Sequence, residues 1–269
     1  LSSAINLLAQ ALYISGVLNA GSTTAPGTST TNASVTYSGN VIRKEDLPTF
    51  LTAQNNATSA LDIVYSSSAA NDANASAQNN QSNQNNQSNA ISLIAANDLT
   101  IYSSAQILAN GTTNTAGGYI TLSAQQFNAQ SGSLIQANGN NGPGGVIAIN
   151  GTDVYLAGTV AANSSHSGQG GSFAVMANTL TIDNATVVQT NGQAGPGGTI
   201  TLTSTQDIHI NQAQISANGS ADGGSLYITS RSGSLNLYDS LIQTNGGNGR
   251  GGSVTTSKNS NSVPITAAL

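Results

Sequence analysis

Carboxylates are the groups here with the clearest claim to chemistry, and they are scarce: ten Asp and Glu in 269 residues, beside five Lys and Arg and two His. Asp98, Asp153, Asp183, Asp207, Asp222 and Asp239 all lie after residue 90. Cleaving a glycosidic bond takes two carboxyl groups flanking the scissile bond, and a calcium-assisted site takes several oxygen ligands around one ion. Asp98, Asp153 and Asp207 are 55 and 54 residues apart, and Asp183 and Asp239 are 56 apart. That regularity has to come from the elements that carry them. His166 and His209 are the remaining acid–base candidates, and neither has a Ser or Cys beside it in a recognisable nucleophile motif. With no cysteine, disulfides and thiolate metal sites are excluded. Five basic residues cannot build the positive face that nucleic acid or an anionic membrane requires.

The regularity belongs to a repeat. Asn138-Gly139-Asn140-Asn141-Gly142-Pro143-Gly144-Gly145 precedes Val146-Ile147-Ala148-Ile149, and Asn191 to Gly198 precedes Thr199-Ile200-Thr201-Leu202 in the same way. Gly-Gly pairs begin at 117, 144, 170, 197, 223 and 251, so the period is 26 to 28 residues. A fixed period of this size marks a solenoid or repeat array. Each unit holds three short runs in which apolar residues alternate with polar ones. In the third complete unit, for example, they are Ile147/Ile149, Val154/Leu156 and Val160/Ala162. Period-two alternation buries one side of a strand. Three strands per turn of about 27 residues predict an all-β fold, a right-handed parallel β-helix, with handedness taken from the general crossover preference. A propeller needs about 40 residues and four strands per blade, and a hexapeptide helix needs apolar residues every six positions; neither pattern is present.

On this frame Asp98, Asp153 and Asp207 each come just before the second strand of alternate coils, about 9–10 Å apart. That is too wide for one metal ion, and strand-start capping fits better. Asp183 and Asp239 are expected to share another recurrent position. Outward residues of the first face form the row Thr121, Ala148, Ala174, Thr201, Tyr227 and Thr255, too irregular for an ice-binding surface. Tyr102, Tyr155, Tyr227 and Tyr238 are expected on the surface, where tyrosine can stack on sugars. No catalytic residue, metal site or cofactor is assigned.

The corner joining the third strand to the next coil is the strongest structural signal. Asn110, Asn138, Asn163, Asn191, Asn218 and Asn245 open it, and Gly118, Gly145, Gly171, Gly198, Gly224 and Gly252 close it. Asn tolerates left-handed backbone and glycine takes positive φ freely. The asparagines are expected to stack as an amide ladder, each side chain bonding the next. The glycine pair is expected to give a sharp bend and leave room for the adjacent coil.

Outside the repeat, residues 1–40 are expected to form a degenerate coil or N-terminal cap, although Ile5, Leu8 and Leu12 also have helical spacing. Residues 41–90 form an insertion. Asp46, Pro48 and the apolar spacing from Leu47 to Val64 predict a short helix over 45–65. An Asn/Gln/Ser/Ala-rich stretch over 66–90 follows. The β-helix proper is expected over 91–257, with a C-terminal extension over 258–269. Neither end carries a polar cap, so Leu8 and Leu12 at one end, and Val263, Ile265 and Leu269 at the other, are expected to meet further coils. Leu1 stands where an initiator Met would, so the chain is expected to be processed or excerpted, with any export signal removed. No apolar stretch is long enough for a membrane span.

The runs Ile91-Ser92-Leu93-Ile94-Ala95-Ala96-Asn97-Asp98-Leu99-Thr100-Ile101 and Gly132-Ser133-Leu134-Ile135-Gln136-Ala137-Asn138-Gly139 resemble the repeat region of filamentous-haemagglutinin-like adhesins of the two-partner secretion type. The likeness covers roughly residues 91–257. The Asn-Pro-Asn motifs of that family's secretion domain do not occur in this chain. The resemblance implies an extracellular or cell-surface structural protein: an adhesin segment or filament subunit that self-associates end to end or continues a longer β-helix, with possible glycan or cell-surface contacts. The alternative expectation is a carbohydrate-binding or polysaccharide-cleaving β-helix.

Overall fold

The computed structural model describes residues 4–14, 16–20, 34–38, 62–66, 89–111, 114–166 and 168–258. They form a parallel β-helix. Its first coil is β1 (Ala4–Ile14) and β2 (Val17–Asn19), followed by a separate pair, β3 (Ser34–Ser38) and β4 (Asp62–Ser66), that is antiparallel. The second coil is β5 (Ala90–Ile101) and β6 (Gln106–Leu108), the third β7 (Tyr119–Ala129) and β8 (Leu134–Gln136), and the fourth β9 (Val146–Leu156) and β10 (Thr159–Ala161). In these four coils one long bent strand covers the first two faces. From the fifth coil that strand is split. The fifth comprises β11 (Ser172–Ala177), β12 (Thr179–Ile182) and β13 (Val187–Gln189), and the sixth β14 (Thr199–Ser204), β15 (Ile208–Asn211) and β16 (Gln214–Ser216). The seventh comprises β17 (Ser225–Ser230), β18 (Leu235–Tyr238) and β19 (Leu241–Gln243), and β20 (Ser253–Lys258) starts another turn. The third face alone is a seven-stranded parallel sheet running from β2 to β19.

Stacking is in register, so each core position is a column of like residues. Ile91, Ile120, Ile147, Phe173, Ile200 and Leu226 form one, and Leu18, Ile107, Ile135, Val160, Val188 and Ile215 another, all buried. Volume is balanced within a coil: Phe127 occupies a column of Leu and Val while Ala129, two residues on, occupies a column of Ile and Leu. That exchange preserves the close packing a protein interior demands.

Residues 4–19 are a full coil in register with the second, pairing Ile5 with Ile91, Leu12 with Leu99, Ile14 with Ile101 and Leu18 with Ile107. The helical spacing of Ile5, Leu8 and Leu12 has a different origin. Leu8 takes the register position of Ile94, whose side chain is 42% exposed, whereas Leu12 falls in a buried column; between them β5 carries one residue more than β1, with Ala95 to Asp98 opposite Ala9 to Ala11. β3 lies against β1 and β2, and Leu12, Ile14 and Leu18 are 0, 0 and 1% exposed although they belong to the first coil. The helix expected over 45–65 lies outside the described residues, except that 62–65 belong to strand β4. At the other end Leu235, Leu237 and Ile242 are only partly buried, and Val254 is 46% exposed.

Glycine pairs recur at the corner for a steric reason. A Cβ on Gly145 would stand 2.1 Å from the Gly118 carbonyl oxygen one coil earlier, and one on Gly144 would stand 2.1 Å from Ala162 O one coil later. The first glycine of each pair clears the following coil and the second clears the preceding one. Among the described glycines only Gly132 has positive φ, so close approach, and not left-handed backbone, selects glycine here. Gly171→Ala and Gly198→Ala are expected to cost about 1–3 kcal/mol each through forced displacement of a neighbouring coil. Gly251→Ala, where a Cβ meets nothing within 4 Å, should stay within about 0.5 kcal/mol of the parent. Urea unfolding of the three variants measures the contrast.

Candidate functional site: an asparagine ladder and an outward carboxylate row

Each corner leaves the third face at a small inward residue and returns at the second glycine of its pair, and a hydrogen bond closes the neck. Gly118 N–H donates to Ala109 O at 2.7 Å, Gly145 to Ala137 at 2.7 Å, Gly171 to Ala162 at 2.6 Å, Gly198 to Thr190 at 2.6 Å and Gly224 to Ala217 at 2.7 Å. Loop length can therefore vary without disturbing the strands.

Within the loops the asparagines line up as expected, but the bonding differs from an amide-to-amide ladder. Asn110 Oδ1 accepts the backbone N–H of Asn138 at 2.8 Å, Asn138 that of Asn163 at 2.8 Å, and Asn163 that of Asn191 at 2.7 Å. Asn191 accepts from Asn218 at 2.8 Å and Asn218 from Asn245 at 2.7 Å. The following residues bond in parallel: Gly139 N–H to Asn163 O, Ser164 to Asn191 O and Gly192 to Asn218 O, each at 2.8 Å. The side-chain amide thus replaces one rung of a β-ladder where the main chain turns away. Asn110 and Asn163 also donate Nδ2 to Gln136 and Gln189 on the third face. None of the six ladder asparagines has positive φ. Left-handed residues are Asn114 and Asn141 at the loop tips, and Ser104, Asn184, Ala185, Gln212 and Asp239 at the corner after the second face.

The ladder's lower end was not singled out by the repeat pattern. Asn89, 5% exposed, donates Nδ2 to Asn110 O at 2.9 Å, and its carbonyl accepts Tyr119 N–H. Its signal is positional, because it stands directly before β5 as Gly118 stands before β7. Ala20 N–H bonds Leu108 O on the opposite side of the neck. The stretch from residue 20 to residue 89 therefore leaves and returns at the neck of the first coil's corner, in the place an ordinary asparagine loop takes above it.

The carboxylates of the second face are spaced by uncharged partners. In the column Asp98, Gln126, Asp153, Thr179, the Asp153 carboxylate accepts from Gln126 Nε2 at 3.4 Å and Thr179 Oγ1 at 2.9 Å. Asp207 continues the column and caps Ser234 N–H at 2.6 Å, as expected of a strand-start acid. Asp183 and Asp239 do not share a position. Register puts Asn211 and then Tyr238 above Asp183, and Asp239 is displaced by one residue. Asp222 accepts Arg250 N–H at 2.7 Å. His209 lies 3.1 Å from Asn236 on the second face, and His166 lies 3.0 Å from the neighbouring Ser165 hydroxyl. Among the described residues no three His, Asp or Glu side chains converge.

The first-face row falls in one column as expected: Thr121, Ala148, Ala174, Thr201, Tyr227 and Thr255. The tyrosines scatter. Tyr227 is on the first face, Tyr155 and Tyr238 are on the second, and Tyr102 lies just beyond it. Tyr13 stacks on Tyr102 with ring centroids 6.2 Å apart, and partial burial, then the charge of Asp98, push its hydroxyl pKa up. Leu12 is buried beneath Leu99, Leu8 pairs through its backbone with Ile94, and Val263, Ile265 and Leu269 lie outside the described residues. No protein-family model, curated protein or solved structure matches the chain.

The ladder makes a graded prediction. Asn191→Ala strands a part-buried Asn218 N–H and is expected to cost about 1–3 kcal/mol. Asn191→Asp keeps an acceptor and is expected to cost less. Asn245→Ala removes an oxygen with no partner among the described residues and should leave stability within about 0.5 kcal/mol. Chemical denaturation of the three variants reads the order.

Proposed function

We propose that this chain is a structural segment of an extracellular β-helical protein, an adhesin shaft or filament subunit without catalytic activity. The observation that carries the reading is where the polar groups go. Asn side chains, corner amides and the Asp153 and Asp207 carboxylates bond mainly from coil to coil, which lengthens and stiffens a rod. The partly buried Leu235, Leu237 and Ile242 of the seventh coil support growth by stacking, because an uncovered strand edge recruits another strand. The uncharged outer first face and the resemblance to filamentous-haemagglutinin-like repeats support an exported, surface-displayed role.

A second reading, carbohydrate binding, has one observation in its favour: the Tyr13–Tyr102 stack beside Asp98 on the outer surface. Aromatic faces flanked by a polar group are suited to sugar rings.

Sedimentation and electron microscopy of the purified chain are expected to show rods joined end to end, and antibody is expected to label intact producing cells. Monomers at every concentration would remove the filament form of the proposal. Labelling only after permeabilisation would remove the surface role. Glycan-array binding that is lost in Tyr102→Ala, with rods unchanged, would move the assignment to the second reading.

A further inference from the structure

An asparagine followed by glycine is chemically fragile. The glycine backbone nitrogen, after losing its proton, attacks the asparagine Cγ; the C–N bond of the amide breaks, ammonia leaves, and a five-membered succinimide forms. Water then opens the ring to aspartate or isoaspartate, so the net change is one amide and one water converted to a carboxyl and ammonia. The sequence repeats this fragile pair along its main ladder, at Asn110-Gly111, Asn138-Gly139, Asn191-Gly192, Asn218-Gly219 and Asn245-Gly246.

In four of the five, both reacting groups are held. The nitrogens are occupied: Gly111 N–H donates to Asn138 O at 2.7 Å, and Gly139, Gly192 and Gly219 donate to Asn163, Asn218 and Asn245 at 2.8 Å. The side chains are occupied too, because Oδ1 of Asn110, Asn138, Asn191 and Asn218 accepts the main-chain N–H of the next coil's asparagine. Bringing Cγ onto the following nitrogen breaks both bonds in these four corners. Asn245 differs. Its side chain is exposed, and neither its Oδ1 nor the Gly246 N–H has a partner among the described residues.

We propose that Asn245 is a site of spontaneous deamidation, and that the ladder itself shields the four Asn-Gly corners beneath it. Among the five ladder pairs the modification is then confined to Asn245; Asn141-Gly142, Asn150-Gly151 and Asn248-Gly249 lie off the ladder and do not share its bonds. Isoaspartate at 245 would add a methylene to the main chain between the two bonds that anchor this corner, Gly219 N–H to Asn245 O and Gly252 N–H to Thr244 O. The inference stands on bonding geometry and concerns the single chain, because a coil stacked on the seventh would hold Asn245 as the other four are held.

The test uses the intact folded chain, dilute enough that sedimentation shows single molecules, held in warm, mildly alkaline buffer. Peptide mass spectrometry and enzymatic isoaspartate labelling follow each corner with time, and Asn245→Gln fixes the assignment. Two hydrogen bonds of ordinary net strength must open at each shielded corner, so Asn245 is expected to convert roughly ten- to thirtyfold faster than Asn138, Asn191 or Asn218. In urea the rates at the four sites should draw together. Equal rates at Asn245 and Asn218 in the folded chain would overturn the proposal. So would an Asn245 that converts in urea and not in the folded monomer.

Discussion

The spacing between stacked strands, about 4.8 Å, constrains everything else in this molecule. Coils at that distance sit so close that each residue's nearest neighbours are its own counterparts above and below. A side chain must therefore tolerate a copy of itself. Aliphatic residues do so by packing into columns such as Ile91 to Ile200, and asparagine does so because one oxygen can accept from the chain above. At the corner, where two main chains converge, a residue without Cβ is needed, since a methyl on Gly144 or Gly145 would stand 2.1 Å from a carbonyl oxygen, far inside van der Waals contact.

The same spacing accounts for the charge. Two carboxylates one coil apart would repel by about 1 kcal/mol even at the dielectric of water, and a column of them would compound the cost. In the second-face column no two acids are adjacent: Gln126 and Thr179 separate Asp98, Asp153 and Asp207, and each donates to Asp153. The 6% charge content is thus a consequence of stacking. It also separates this arrangement from the paired carboxyls of a glycosidase, which must face one another across a substrate.

These constraints set what could be read from sequence. Period, three-strand coil and corner were legible because stacking forces each coil to repeat the residue types of its neighbour. The reason for the glycines was legible only in part: room for the adjacent coil could be anticipated, whereas positive φ is not what the corner uses. The first coil was obscured by two local events. The first coil has one residue fewer than the second at the bend, where Ala9 to Ala11 opposes Ala95 to Asp98, and the long stretch of sequence between Ala20 and Asn89 hides that β2 and β5 belong to successive coils. Asp183 and Asp239 illustrate a finer failure. Their separation suggests one position, but Ile182 pairs with Ile210 and Ile210 with Leu237, so the counterpart of Asp183 is Tyr238 and Asp239 falls one residue beyond it. Only pairing partners reveal it. The Tyr13–Tyr102 stack was out of reach for the same reason, since it joins residues nearly ninety positions apart.

A one-dimensional stack also makes position along the axis a chemical variable. Interior coils have neighbours on both sides, so each of their ladder asparagines both donates its backbone N–H to the coil below and accepts from the coil above. At the lower end β3 lies against β1 and β2, and Leu12, Ile14 and Leu18 are buried. Among the described residues the same columns run up to Leu235, Leu237 and Ile242 of the seventh coil, only partly covered, and the amide ladder runs up to Asn245. In a globular core the first groups to meet water are scattered by the irregularity of the surface. Here, among the described residues, they are gathered at the seventh coil, as partly covered aliphatic columns beside an exposed asparagine of the ladder.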